Sequence, residues 1–329
     1  MKKFIMIVLM VLIIPVVILS GCGSIAQSSA DQPRIVCTIF PQYDWTRQIL
    51  GNKADSFDLT LLLNNRMDLH SYQPSVDDMV KISTCDLFIY IGGESDVWVD
   101  DALRETSNKD MIVINLLNAL GEAAKEEEII YGVEDEKDGL GDEDIGPDEE
   151  GGYDEHVWLS LKNAQTFCSA IVSALSLLDK ENTDVYQSNA TAYIEQLSTL
   201  DTEYQRAIDA ASIRTLLFGD RFPFRYLADD YSLSYYAAFP GCSAETEASF
   251  ETVVFLANKA DELNLRNIMV TESADQSIAK TVISNTSGKN QQILILDAMQ
   301  SVTLDDIQNG STYLSIMRNN LNVLIEALN

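Results

Sequence analysis

His70 and His156 are the only two histidines in 329 residues. Imidazole is the commonest metal ligand and titrates near neutral pH, so the position of each histidine carries information. His70 lies in LLLNNRMDLHSYQP (61–74), beyond an apolar strand-like run and ahead of Pro74, which turns the chain toward a helix. His156 lies in YDEHVWL (153–159), at the end of a long acidic tract, with Asp154 and Glu155 before it and Trp158 behind it. Either histidine alone reads most simply as a hydrogen-bonded structural residue. Together, in loops of one predicted lobe, they have the makings of a ligand pair. Asp297 ends the last apolar run, ILIL (293–296), as a cap of the following segment or as a carboxylate in a crevice. Two imidazoles and a carboxylate suit zinc, or manganese or iron where further oxygens join.

These residues need a scaffold, and the hydrophobic pattern supplies one. The runs IVCTIF (35–40), FDLTLLL (57–63), LFIYI (87–91) and MIVINL (111–116) alternate with helical patterns over 43–50 and 76–82. Ser75 is placed to N-cap the second of these, ahead of Asp77 and Asp78. Near-continuous apolar strands alternating with helices predict a parallel sheet covered on both faces. A helix follows over 164–178, and after a break at 179–183 a longer one spans 184–211. In it Tyr193, Leu197, Leu200, Tyr204, Ile208 and Ala211 recur at three- and four-residue steps. Such a helix is about 40 Å long, enough to bridge two lobes. The alternation resumes with TLLF (215–218), SYYAAF (234–239), NIMVT (267–271) and QILILD (292–297). A final helix over 313–328 carries Leu314, Met317, Leu321, Leu324 and Leu328 on one face. The expected architecture is α/β: two doubly wound lobes, 33–183 and 212–329, joined by the rigid helix 184–211. Ligands of doubly wound sheets bind beyond the carboxyl ends of the strands, where His70 and Asp297 fall.

The N-terminus reads MKKFIMIVLMVLIIPVVILSGC (1–22). Two lysines, an apolar run and small residues before Cys22 form a secretory signal, too short to be a good membrane span; an uncleaved anchor is the alternative. LSGC resembles the lipobox of bacterial lipoproteins, with Cys22 as the lipidated residue, and 23–32 reads as a flexible tether. The expected place is extracytoplasmic, tied to a membrane. Cys37, Cys85, Cys168 and Cys242 are widely spaced, without a CxxC knuckle. With 51 acidic against 22 basic residues the net charge is −29, which argues against nucleic acid as a partner and favours cations. Residues 121–155 hold 16 Asp and Glu against two Lys, about half of that imbalance. This acidic loop is either a solvated linker or a weak collector of cations.

HSYQP (70–74) with Asp78, CDLFIYIGGESDVWVDDAL (85–103), YDEHVWLSLKNA (153–164), and LDAMQSV (296–302) with Tyr313, Leu314 and 317–321 run in order along nearly the whole mature chain. They resemble the signatures of the metal-binding lipoproteins of bacterial zinc and manganese ABC importers, solute-binding proteins of the cluster A-I type. The resemblance implies one transition-metal ion in the cleft between the lobes, handed to an ABC permease and its ATPase subunit. It places His70 and His156 on first-lobe ligands and Asp297 on an acidic ligand of the second lobe. Zinc is the expected ion, because the acidic loop stands where zinc members carry a His-rich one; manganese is the alternative. The third motif departs from the family. A histidine or glutamate usually precedes a Phe-x-Tyr pattern, but FGDRFPFRY (218–226) puts Arg221 at that position, and a guanidinium has no lone pair to offer. Asp220 is the nearest replacement, with Glu245, Cys242 or a water as others; Arg221 could instead pair with Asp297 or Asp220. A metal-dependent hydrolase is disfavoured, since no HExxH helix or further histidine is present for acid–base work. A monomer is expected, and a surface adhesin role is a possible second activity.

Overall fold

The computed structural model describes residues 32–127, 152–243 and 247–329. The expectations for the signal segment, Cys22, most of the tether, most of the acidic loop, and Glu245 lie outside them. Among the described residues no helix is long and apolar enough to cross a membrane.

The first sheet holds β1 (Arg34–Cys37), β2 (Asp58–Leu61), β3 (Leu87–Tyr90) and β4 (Ile112–Asn115), all parallel, in the order β2-β1-β3-β4. Its helices are α1 (Phe40–Leu50), α2 (Val76–Thr84), α3 (Trp98–Arg104) and α4 (Leu116–Leu120). The apolar run 35–40 divides between two elements: β1 stops at Cys37 and Phe40 opens α1, with Pro41 in the first turn, where a missing N–H is harmless. Ser75 caps α2 as expected, accepting from the Asp78 N–H at 3.2 Å while Asp78 Oδ2 accepts from the Ser75 N–H at 3.0 Å.

Next come α5 (Leu161–Leu178) and α6 (Thr183–Ala210), the predicted linking helix within a residue at each end. Its buried stripe runs Tyr186, Ala190, Tyr193, Leu197, Leu200, Tyr204 and Ile208. The second sheet repeats the first in topology: β5 (Thr215–Phe222), β6 (Ser234–Pro240), β7 (Asn267–Thr271) and β8 (Gln292–Leu296), all parallel, ordered β6-β5-β7-β8. Around it lie α7 (Arg225–Asp230), α8 (Phe250–Glu262), α9 (Ser277–Asn285), α10 (Leu304–Gln308) and α11 (Tyr313–Ala327). The eight runs read as strands in the sequence are thus the eight named strands of the two sheets.

One difference bears on the site. The β5 strand continues four residues past the predicted TLLF, through Gly219-Asp220-Arg221-Phe222, with a register shift against β6 between Phe218 and Arg221. Gly219 makes this extension possible, because a Cβ there would lie 2.5 Å from the Ala279 Cα of α9.

Successive residues of β5 face opposite ways, as a strand requires. Leu216 and Phe218 enter a hydrophobic cluster containing Ile35, Phe88, Trp158, Tyr204 and Leu296, whereas Leu217 enters a smaller cluster under α8 and α9. The larger cluster therefore spans both sheets and the linking helix. Polar ties reinforce it: Asn189 of α6 donates to the Ile49 carbonyl at 3.0 Å, and Tyr204 donates to the Met317 carbonyl at 2.5 Å. Tyr313, fully buried at the start of α11, donates through its hydroxyl to the Trp158 carbonyl at 2.7 Å, and its N–H reaches Asp44 Oδ2 at 2.9 Å. Replacing Tyr313 by Phe keeps the ring packing and leaves that buried carbonyl without its donor. The expected loss is about 1–2 kcal/mol of stability in urea denaturation with little change in the m-value.

Candidate functional site

The His70 loop is built first. Asp68 caps a single 3-10 turn, Leu69–Ser71, accepting the His70 N–H at 2.9 Å, and this sets the ring inward. His156 precedes another such turn, Val157–Leu159, and is fully buried. Its segment is pinned where the acidic tract begins and ends: the Glu127 N–H donates to the Gly152 carbonyl and the Asp154 N–H to the Lys125 carbonyl, each at 2.8 Å. Tyr226 of α7, on the second lobe, accepts from the Lys125 N–H at 2.9 Å and donates to the Asp154 carbonyl at 3.1 Å. Trp158 lies against the His156 ring, 5.2 Å between centroids, and donates to the Ala298 carbonyl at 2.9 Å.

These elements bring the two rings to a common point, with Nε2 of His70 and Nε2 of His156 3.3 Å apart. Their partners assign the tautomers. Asp154 Oδ1 lies 3.0 Å from His156 Nδ1 and, as a carboxylate, can only accept, so the proton is on Nδ1. Ser95 donates its hydroxyl to Glu155 Oε2, so at 2.8 Å its oxygen accepts from His70 Nδ1. Both Nε2 atoms then present lone pairs to the same space. Carboxylate–imidazole pairs of this kind orient metal ligands and raise their basicity. Zinc–nitrogen bonds of 2.0–2.1 Å at a tetrahedral angle imply a nitrogen–nitrogen spacing of about 3.3 Å, which this pair already has.

Burial, and then the neighbouring His156, push the His70 pKa down to about 4. The ring is therefore neutral at neutral pH, as a ligand must be, and its 3.5 Å approach to Glu155 is a dipolar contact, not an ion pair. Burial also raises Glu155, but Ser95 holds it with two donors, the N–H at 2.7 Å and the hydroxyl.

The second lobe contributes differently from expectation. Arg221 pairs with Asp68, Nη2 to Oδ2 at 2.6 Å, and not with Asp297 or Asp220, because the extended β5 aims its side chain across to the His70 turn. Asp220 accepts from the Thr271 N–H at 3.0 Å and from its hydroxyl, which ties β5 to β7. Asp297 accepts from the Met299 N–H at 2.7 Å; burial and the Glu272 carboxylate raise its pKa to about 7. Neither aspartate belongs to the group whose donor atoms converge. Among the described residues that group is His70, His156 and Cys242, with one donor atom of each within 4.8 Å of the others. The supporting roles of Asp68, Ser95, Asp154 and Glu155 escaped the sequence reading; only the two carboxylates that precede His156 gave any signal.

Two α/β lobes on one long helix, with metal-ligating side-chain types converging where they meet, define a solute-binding protein of the rigid-hinge class. The chain belongs to the family described as zinc-uptake complex component A, periplasmic, which it matches over residues 35–327. It is 30% identical over 302 residues to the zinc-binding lipoprotein AdcA of Streptococcus pneumoniae, covering 91% of this chain and 56% of that one, so it spans about half of that relative's length. It is 27% identical to the high-affinity zinc uptake protein ZnuA of Bacillus subtilis, covering 94% of both. Among solved structures, the Zn(II)-bound ZnuA-like domain of the pneumococcal AdcA superposes with a TM-score of 0.68 at 27% identity, covering 90% of this chain and 99% of that domain. The metal-dependent lipoprotein YcdH of Bacillus subtilis gives 0.71 at 25%, covering 90% and 100%.

Two outcomes follow from the geometry. Because the folded-state pKa of His70 is depressed, the metal-free protein binds fewer protons than its unfolded chain between about pH 6.5 and 4. Stability is lost as pH falls through that window, and His70→Asn should remove on the order of 2 kcal/mol of the loss in urea melts at pH 7 and pH 4.5. Gly93 has φ +85°, and a Cβ there would sit 2.4 Å from Glu155 Oε1. Gly93→Ala should cost at least about 1–2 kcal/mol and, by displacing Glu155 and Ser95, weaken metal binding in calorimetry.

Proposed function

We propose that this chain captures a divalent transition metal, zinc before manganese, outside the cytoplasm and delivers it to an ABC permease with its ATPase subunit. The carrying observation is the pair of imidazole nitrogens 3.3 Å apart, with Nδ1 of His156 held by the Asp154 carboxylate and Nδ1 of His70 by the Ser95 hydroxyl. Nitrogen donors favour zinc over manganese, whose preference is for oxygen. The zinc-binding names of the relatives support the same ion. His70 and His156 are the first-lobe ligands in this reading. Asp297, at the end of β8, lies outside the converging group and would supply an oxygen donor from the second lobe, linked to the His156 segment through Ala298 and Trp158. No covalent chemistry is needed: the protein binds, shields and releases an ion.

In the same proposal 33–183 and 212–329 act as two lobes about the helix 184–211. Cys22 carries the lipid, and 23–32 tether a monomer to the membrane surface. The shared core favours small adjustments at the site over wide opening, because separating the lobes would expose continuous apolar surface.

The test is calorimetry on metal-stripped mature protein with zinc and manganese in turn. One zinc per chain, bound in preference to manganese, is expected, with affinity falling by about 100-fold or more in His156→Ala. Absence of zinc uptake by the unaltered chain would sink the reading.

A further inference from the structure

Arg221 stands where a second-lobe ligand is expected, Asp220 is held by Thr271, and yet a donor from this lobe does reach the histidines. That donor is the thiol of Cys242, in the turn after β6. We propose that Cys242 is the second-lobe metal ligand, making a His2Cys site and setting its selectivity for thiophilic ions such as zinc over manganese. This rests on the metal-binding reading above and sharpens it.

Three independent observations place the thiol there by construction. Its sulfur lies 4.0 Å from Nδ1 of His156, and one donor atom each of Cys242, His70 and His156 lies within 4.8 Å of the others. The turn is locked from both sides. A Cβ on Gly241 would fall 2.9 Å from the Phe222 carbonyl and 3.2 Å from the His156 ring, so only glycine lets the turn pack this closely. From the first lobe, Glu127 Oε1 accepts the Cys242 N–H at 2.9 Å. Finally, Cys242 and His70 line one pocket of about 260 Å³ with Glu94, Glu127 and Glu155, a negative approach that concentrates cations beside the sulfur.

The other described cysteines differ in kind. Cys37, Cys85 and Cys168 are completely buried in apolar surroundings, whereas Cys242 is partly exposed in a polar pocket. Thiolate is a soft ligand, favourable to zinc and poor for manganese, and with two imidazoles it leaves one tetrahedral position for an oxygen donor. Arg221 meanwhile neutralises Asp68 and takes that carboxylate out of competition for the ion.

The test is cobalt substitution of the full mature chain. Co2+ bound through sulfur gives an intense thiolate-to-metal charge-transfer band in the near ultraviolet, expected in the unaltered protein and absent in Cys242→Ser. That variant should also bind zinc at least about tenfold more weakly and lose much of the discrimination against manganese. If the unaltered protein takes up cobalt without the band, or if Cys242→Ser binds zinc unchanged while His156→Ala does not, the thiol assignment falls and the transport reading stands. If the unaltered protein binds neither ion, both fall. Should the variant fold poorly, alkylation of the unaltered chain serves instead: zinc should protect Cys242 from iodoacetamide, read by peptide mass spectrometry. Equal labelling with and without zinc would overturn the assignment.

Discussion

Two unprotonated ring nitrogens aimed at each other across 3.3 Å repel unless a positive charge lies between them. Much of the first lobe around them exists to hold that unfavourable approach. Asp154 fixes one ring through Nδ1 and the backbone N–H of the same residue, and Ser95 and Glu155 fix the other. Gly93 supplies the backbone shape that admits Glu155, and Asp96 accepts the N–H groups of Ile91 and Gly92 at 2.9 Å to hold that bend. The repulsion is offset by hydrogen bonds that do not depend on a cation, so the two rings are arranged in advance. A site prepared this way binds more tightly because less ordering remains to be done on capture.

The second constraint is the continuous core. Leu216 and Phe218 of β5, Leu296 of β8 and the buried face of α6 belong to the same apolar cluster as the first sheet. Two lobes sharing one core cannot swing apart without exposing it, which distinguishes this architecture from binding proteins hinged on flexible strands. The His156 segment sits within this junction, tied to Tyr313 through the Trp158 carbonyl, and His156 is the more buried of the two histidines.

Arg221 gives the lobes a different kind of contact. Its guanidinium meets Asp68, the residue that caps the His70 turn, so a cation in the second lobe helps orient a histidine in the first. Where a ligand would be expected, the chain has instead a fixed positive charge, and the nearby donor is a thiol. With that thiol as a ligand, as proposed, the donor set would favour softer ions over oxygen-preferring ones.

The sequence by itself determined the strands, the linking helix and the two-lobe repeat, because strands buried on both faces leave continuous apolar runs and a helix buried on one face leaves a stripe at three- and four-residue steps. It also singled out His70, His156 and Asp297, since histidine is rare here and loops after strands are where function gathers. It misplaced the end of β5, reading Gly219 to Phe222 as outside the strand, because a bulge and a glycine packed against α9 are set by a neighbour 60 residues away. From that strand end came the partner of Arg221, and with it the engagement of Asp220 by Thr271. Only the tertiary structure decided which groups converge. Distances between His70, His156 and Cys242 depend on how two sheets pack about one core, and no spacing along the chain encodes them.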